Sequence, residues 1–356
     1  NQRIKFIMAY TTINKSTDYF NTKLYTGNGN DNTSITGVGF QPDWTWIKSR
    51  SNTDYHMIVD VVRGGNKQIK PDSSDAEGSD TNKVKSFISD GFVIGTGTVV
   101  NRNGATFASW NLKAGTAVSG NTTGSGTYKT YTGSVNATAG FSIIKYTGNG
   151  TAGHTIPHHL GIANIGSIFV KNLDSGSDYW YSYHKPLGAT KTLILNETDA
   201  VGTNTMWNNT APTSSVFSVG SSSGSNTNNQ NYIAYIFSDI QGYCKTGSYT
   251  GNASTDGTFV YTGFKPAFVI QKQSSASGEY WMMKDNKRET GNQTDANLYP
   301  NATNAEGDTN GIDLLSNGFK CRTSGAGSNG SGATYIYIAF AEAPLVGSNN
   351  VPCTAR

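Results

Sequence analysis

The stretch GFQPDWTWIKSRS at residues 39–51 returns as GFKPAFVIQKQSS at residues 263–275. Duplication constrains the fold more than any local pattern, because each copy must be a unit that buries its apolar surface alone or against its neighbours. The flanks extend the match. YTGNG at 25–29 is answered by YTGN at 249–252, DVVR at 60–63 by DNKR at 285–288, and AEG at 76–78 by AEG at 305–307. Further on, SDGFVIG at 89–95 pairs with SNGFKCR at 316–322, and GATFASW at 104–110 with GATYIYIAF at 332–340. A more diverged copy lies between them, with YTGNG at 146–150, GSIFVKN at 166–172, VFSVG at 216–220 and NYIAYIF at 231–237. Lys48, Lys171 and Lys272 anchor the three copies, and their spacing gives a unit of about 100 residues with roughly 20 extra between the first two.

The extra residues fall in 114–140, a Gly/Ser/Thr-rich stretch that reads as a flexible or extended linker. The resulting division is an N-terminal arm at 1–19, modules at 20–113, 141–245 and 246–344 around that linker, and a tail at 345–356. Met8 reads as a natural start, so the seven residues before it are set aside. Only 14% of residues are charged and 42 are glycine, a balance that suits short strands and tight polar turns. Segments such as WTWIK, HMIVDVV, FSIIKY and YIYIAF are β-branched or aromatic and bounded by Gly, Asn, Asp or Pro, with no sustained helical period. The expected fold is all-β, three tandem antiparallel β-sandwich or jelly-roll-like modules.

A net charge of +3, dispersed along the chain, offers no basic stripe for phosphate, so nucleic acid is not an expected partner. No apolar run reaches bilayer length, and membrane insertion is not expected. Cys244, Cys321 and Cys353 are odd in number and lack zinc-ligand spacing. The HTIPHH run brings His154, His158 and His159 together, but not at a recognised ligand spacing, and it reads as a polar loop before a strand. No metal or cofactor is expected. Asn-x-Ser/Thr triplets, as at Asn32, Asn121, Asn149, Asn208 and Asn301, follow from composition.

Two sets of residues carry possible chemistry. Asp60, Glu77, Asp285 and Glu306 are the carboxylates that a glycosidase would need as a pair. They recur at matching places in the first and last copies, so an Asp-x-x-Arg ion pair and a Glu accepting backbone N–H bonds explain them better, and no enzyme is expected. Among the tryptophans, Trp44 and Trp46 align with Phe268 and Ile270, and Trp110 with Phe237 and Phe340, which reads as core. Trp180 and Trp281 share a position with His56, which leaves core and surface platform open. Trp207, within TNTMWNNTAP, combines a ring with flanking amides in the manner of a sugar-binding loop. Trp207, Trp180 and Trp281 are the candidate ligand-binding residues.

The combination of MAYTTINKSTDYFNTKLYTGNG, GVGFQPDWTWIKSRS, YIAYIFSDIQGYCKTGSYTGN, YIYIAFAEAP and VPCTAR resembles repeat-containing, tail-fibre-like virion structural proteins of marine tailed bacteriophages. The likeness runs from Met8 to Arg356. It implies a non-enzymatic protein made in the host cytoplasm and carried on the virion among other virion proteins. Loops and exposed aromatics make a host-surface glycan the favoured ligand, and the exposed edges of repeated sheets favour a homo-oligomer, a trimer by preference. It brings no catalytic residues. A ligand-free capsid decoration protein, an extracellular adhesin or filament subunit, and a polysaccharide depolymerase are the alternatives.

Overall fold

The computed structural model describes residues 10–347 and 352–353. Met8, the segment before it and most of the C-terminal tail lie outside the described residues. The chain is all-β, built from antiparallel sheets. One strand order occurs three times: Phe20–Thr26, Thr106–Leu112, Trp44–Ser49, Met57–Asp60; then Phe141–Thr147, Asn231–Ser238, Ile165–Asn172, Tyr181–His184; then Cys244–Thr250, Thr334–Pro344, Phe264–Gln273, Met282–Asp285. A smaller sheet accompanies each set. Its strands include Thr33–Thr36, Gly91–Ile94 and Val84–Ile88 in the first repeat, His154–Pro157 and Val216–Val219 in the second, and Phe259–Tyr261, Gly318–Cys321 and Gly307–Leu315 in the third.

Each larger sheet is buried on both faces. In the first repeat Ile47, Met57, Val59 and Phe107 pack under the small sheet with Ile35 and Phe92. The alternate residues Trp44, Trp46, Trp110 and Leu112 point the other way, into a core shared with Phe141, Phe169 and Phe237 of the second repeat and Phe268, Ile338 and Phe340 of the third. A strand covered on both sides loses the apolar/polar alternation of a half-buried one. All six residues of Trp44–Ser49 and all eight of Ile165–Asn172 are buried accordingly.

The YTGN motif is a lock on this arrangement. Tyr25, Tyr146 and Tyr249 stack on Phe107, Tyr232 and Tyr335 at ring separations of 5.1, 5.2 and 4.9 Å. Their hydroxyls donate to the carbonyls of Val100, Ser225 and Ser328 at 2.9, 2.7 and 2.7 Å. Those carbonyls belong to the one-turn helices Thr98–Asn101, Ser223–Asn226 and Ala326–Asn329. The last residue of each helix is a buried Asn whose Oδ1 accepts the N–H of the motif's own Asn: Asn28, Asn149 and Asn252 at 2.9, 2.9 and 3.0 Å. A Cβ on Gly27, Gly148 or Gly251 would sit 2.3, 2.4 or 2.3 Å from a backbone oxygen beyond the helix, so the motif glycine is a close-approach residue.

Two expectations need correction. Residues 114–140 are not a flexible linker: Thr116–Asn121 pairs with Thr130–Asn136, which pairs in turn with Phe141–Thr147 and widens the second repeat's sheet. The Thr-rich alternation favours strands where the Gly/Ser content alone argued for coil, and Tyr131 and Val135 are buried from it. The second correction is one of register. Tyr25, Tyr146 and Tyr249 face Phe107, Tyr232 and Tyr335, so Trp110 corresponds to Tyr235 and Ile338, two residues before Phe237 and Phe340. The arm expected at 1–19 is also engaged where described, with Ile13 in the shared core and the Tyr10 hydroxyl donating to the Gly263 carbonyl at 2.6 Å.

Candidate functional site

The repeats meet in a closed cycle. Glu77 donates its backbone N–H to Leu173 at 2.8 Å, Val201 to Ser274 at 2.9 Å, and Glu306 to Arg50 at 2.8 Å, so the first repeat joins the second, the second the third and the third the first. The accepting residue lies two places after Lys171, Lys272 or Lys48 in each case. The duplicated carboxylates sit on these seams. Asp60 holds Arg63 at 2.6 Å and receives the Tyr235 hydroxyl of the second repeat at 2.7 Å. Asp285 holds Arg288 at 2.6 Å and receives the Trp110 indole N–H of the first repeat at 3.0 Å. Burial alone would raise the Asp285 carboxyl, yet Arg288 beside it keeps it below the ordinary range. Glu77 and Glu306 close the sets, reaching Arg63 at 3.4 Å and Arg288 at 3.0 Å.

The remaining seam has the same geometry with other chemistry. His184 stands where Asp60 and Asp285 do and bonds the Tyr337 carbonyl at 3.0 Å. Leu187 and Val201 replace the Arg and Glu and pack on the shared core. Burial pushes the His184 imidazole down to about 4. The chain therefore carries two ionic seams and one apolar seam built on one backbone plan.

Lys48, Lys171 and Lys272 are fully buried and have backbone carbonyls as partners. Each ammonium donates to the next residue's carbonyl, at 2.8, 2.7 and 2.8 Å, and to a second one, of Asn52, Ser175 or Thr198, at 3.0, 3.1 and 3.2 Å. Burial lowers all three to about 8. Thr198 belongs to the second repeat, so Lys272 also fastens a seam.

The candidate tryptophans are placed apart, and none is a surface platform. Trp180 is 0% exposed and donates Nε1–H to Lys70 of the first repeat at 2.8 Å; Trp281 is 0% exposed and donates to Ile194 of the second at 3.0 Å. Both are seam residues. Trp207, expected as an exposed ring, is 1% exposed in the second repeat's own core, edge-on to Tyr183. The flanking Asn208 and Asn209 both adopt positive φ, +51°, so these residues form a left-handed turn. The histidines do not converge on a metal: His154 is bonded to Asn226 and Thr122, His158 to Thr213, and His159 to Tyr131.

A family model described as a domain of unknown function, DUF7483, matches residues 15–344. The chain belongs to that family. No curated protein and no solved structure matches it. The matched span takes in all three repeats, so the DUF7483 domain is the whole cycle and not one of its parts.

What the DUF7483 domain leaves on its surface is a small set of rings. Phe259 and Tyr261 are 44% and 55% exposed and lie on one face of Phe259–Tyr261, the outermost strand of its sheet. A cleft of about 310 Å³ opens beside Tyr261, lined by it and by Tyr10, Asn164, Asp239, Gln241 and Lys245 among others. Sequence reasoning missed this pair. The signal was available once the copies are aligned, because Val260 pairs with Phe319 as Ile35 does with Phe92 and Ile156 with Phe217. That register sets Phe259 against Ser34 and Thr155, and Tyr261 against Thr36 and Pro157.

Proposed function

We propose that this chain is a structural protein of a bacteriophage particle, tail-fibre-like or surface-decorating, which contacts a host-surface glycan and catalyses no reaction. One observation carries the non-catalytic half of the reading, and the sequence likeness to tail-fibre-like virion proteins carries the other. The carboxylates a hydrolase would need are spent on the fold: Asp60 and Asp285 have side chains 0% exposed and bonded to Arg63 and Arg288, and Glu77 and Glu306 bind the same guanidinium groups. The two aspartates thus have no open face toward a substrate, and proton transfer requires contact with the reacting group. The Glu289, Asp295 and Asp308 carboxylates approach one another within 4.8 Å, but Glu289 caps the N–H groups of Asp295 and Ala296.

Closure of the cycle within one chain supports a compact knob more than three interlaced chains, and a trimer of such knobs is the assembly form proposed. The test is mass spectrometry and immunogold electron microscopy of purified particles with antibody to this chain. Labelling on tail or head is the expected result, and absence of the chain from purified particles overturns the reading. Release of new reducing ends from host polysaccharide would favour the depolymerase instead.

A further inference from the structure

We infer that the edge strand Phe259–Tyr261 and the cleft beside it form a carbohydrate-binding site, with the two rings stacking on pyranose faces and the cleft taking hydroxyl groups. The inference rests on the glycan-binding half of the proposed function and places that activity away from Trp207, Trp180 and Trp281.

Three observations converge. The first is an internal comparison. All three repeats build this strand with a buried central residue, Ile35, Ile156 or Val260, but the outward positions are Ser34 and Thr36, then Thr155 and Pro157, and only in the third repeat Phe259 and Tyr261. Neither ring is required by the strand, since two copies form it without them. Large rings left in water on an edge strand also carry a cost in solubility that natural sequences ordinarily avoid.

The second is the cleft. Asp239 is oriented by two bonds from Thr246, from its N–H and its hydroxyl, both at 2.7 Å, and its other oxygen lies 4.0 Å from the Lys245 ammonium. Asn164 and Gln241 add amides to the lining. Carboxylate, ammonium and amide groups beside an aromatic face are the combination that binds polyhydroxylated ligands, with rings against C–H groups and polar groups against hydroxyls.

The third is Gly263. Its φ is +82°, and a Cβ there would lie 2.8 Å from the Tyr10 hydroxyl and 3.6 Å from the Tyr261 hydroxyl. The bare glycine thus lets both hydroxyls converge at the cleft, with Tyr10 held by the Gly263 carbonyl.

The test uses the full chain on an array of bacterial O-antigen and capsular oligosaccharides, with Kd for the best binder by calorimetry. The variant Phe259→Ser/Tyr261→Thr installs the residues of the first repeat and should fold with an unchanged thermal midpoint. We expect it to lose at least about tenfold in affinity, while Tyr179→Ser/Tyr280→Ser, at exposed tyrosines elsewhere, stays within about twofold. Undiminished binding by the edge-strand variant overturns this site and leaves the glycan reading standing. No binding to any glycan at millimolar concentration overturns both. Self-association of the native chain that the edge-strand variant abolishes, with no sugar bound, makes the strand a contact between copies and overturns the inference.

Discussion

Arg63→Leu tests the seams most sharply, because the second repeat already carries the alternative. In the native chain the Arg63 guanidinium bonds Asp60 at 2.6 Å, Glu77 at 3.4 Å, the Ile58 carbonyl at 3.2 Å and the Tyr235 hydroxyl at 3.2 Å. Both Arg63 and Asp60 side chains are 0% exposed. Removing only the cation leaves a buried carboxylate with the Tyr235 hydroxyl and the backbone N–H of residue 63 as its remaining partners. Loss of one partner of a buried pair costs about 3–5 kcal/mol, whereas replacing the whole set by packed apolar groups is often neutral. For a chain of this length that single loss lowers the thermal midpoint by about 4–7 °C. Asp60→His/Arg63→Leu/Glu77→Val transplants the His184, Leu187 and Val201 set and should recover stability to within about 1.5 kcal/mol of native. Urea titration followed by tryptophan fluorescence, with matched m-values, gives both numbers. The reasoning fails if Arg63→Leu costs under about 1 kcal/mol, or if the triple variant is no better than the single one.

Stability should depend on pH in two windows. His158 and His184 are lowered to about 4, and His56 well below its ordinary value, all by burial, so their contribution is complete above about 6.5 and is lost as pH falls from there toward 4. Lys48, Lys171 and Lys272, lowered to about 8, are protonated unfavourably below that pH, so stability should rise between about 8 and 10; urea midpoints across pH that instead fall through this interval contradict the burial of the ammonium groups. Trp207→Ala should cost about 3–5 kcal/mol in the same titration, as a core deletion does, and leave attachment to any glycan unchanged in the folded fraction. Gly251→Ala should cost at least about 1–3 kcal/mol because its Cβ would meet the Gly330 carbonyl at 2.3 Å, while Gly307→Ala, with open space around it, should stay within about 0.5 kcal/mol in thermal melts.

Repetition was legible in the sequence because its signals are short: YTGN and the anchor lysine recur in all three copies, and the Asp-x-x-Arg pair in the first and third. Their purpose was only partly legible. The Asp and Arg read correctly as an ion pair, but that Tyr235 and Trp110 reach them across a seam depends on a register two residues from the one that aligning the apolar runs gave. Trp207 misled because Asn is used both for hydrogen bonding to ligands and for left-handed turns, and the letters cannot separate the two uses. The hairpin at 114–140 was obscured by glycine: Gly133, between strands, would place a Cβ 2.5 Å from the Ile143 carbonyl, so it permits close strand approach and not flexibility. Phe259 and Tyr261 drew no notice because alternation alone does not say which face is covered.

Closure of the cycle also sets an order on folding during synthesis. Arg50 grips Glu306 across a sequence separation of 256 positions, and the shared core is complete only when Phe340 has arrived. Contacts of that sequence separation form slowly, because the loop entropy is lost before the contact is gained. Until the third repeat has been made, the second repeat already covers Trp44 with Phe141 and Tyr235, but Trp110 still lacks Phe268 and Asp285 and Phe20 still lacks Phe340. A chain truncated before Phe340 should therefore leave that apolar surface uncovered and aggregate when expressed, which a solubility assay of the truncated product checks.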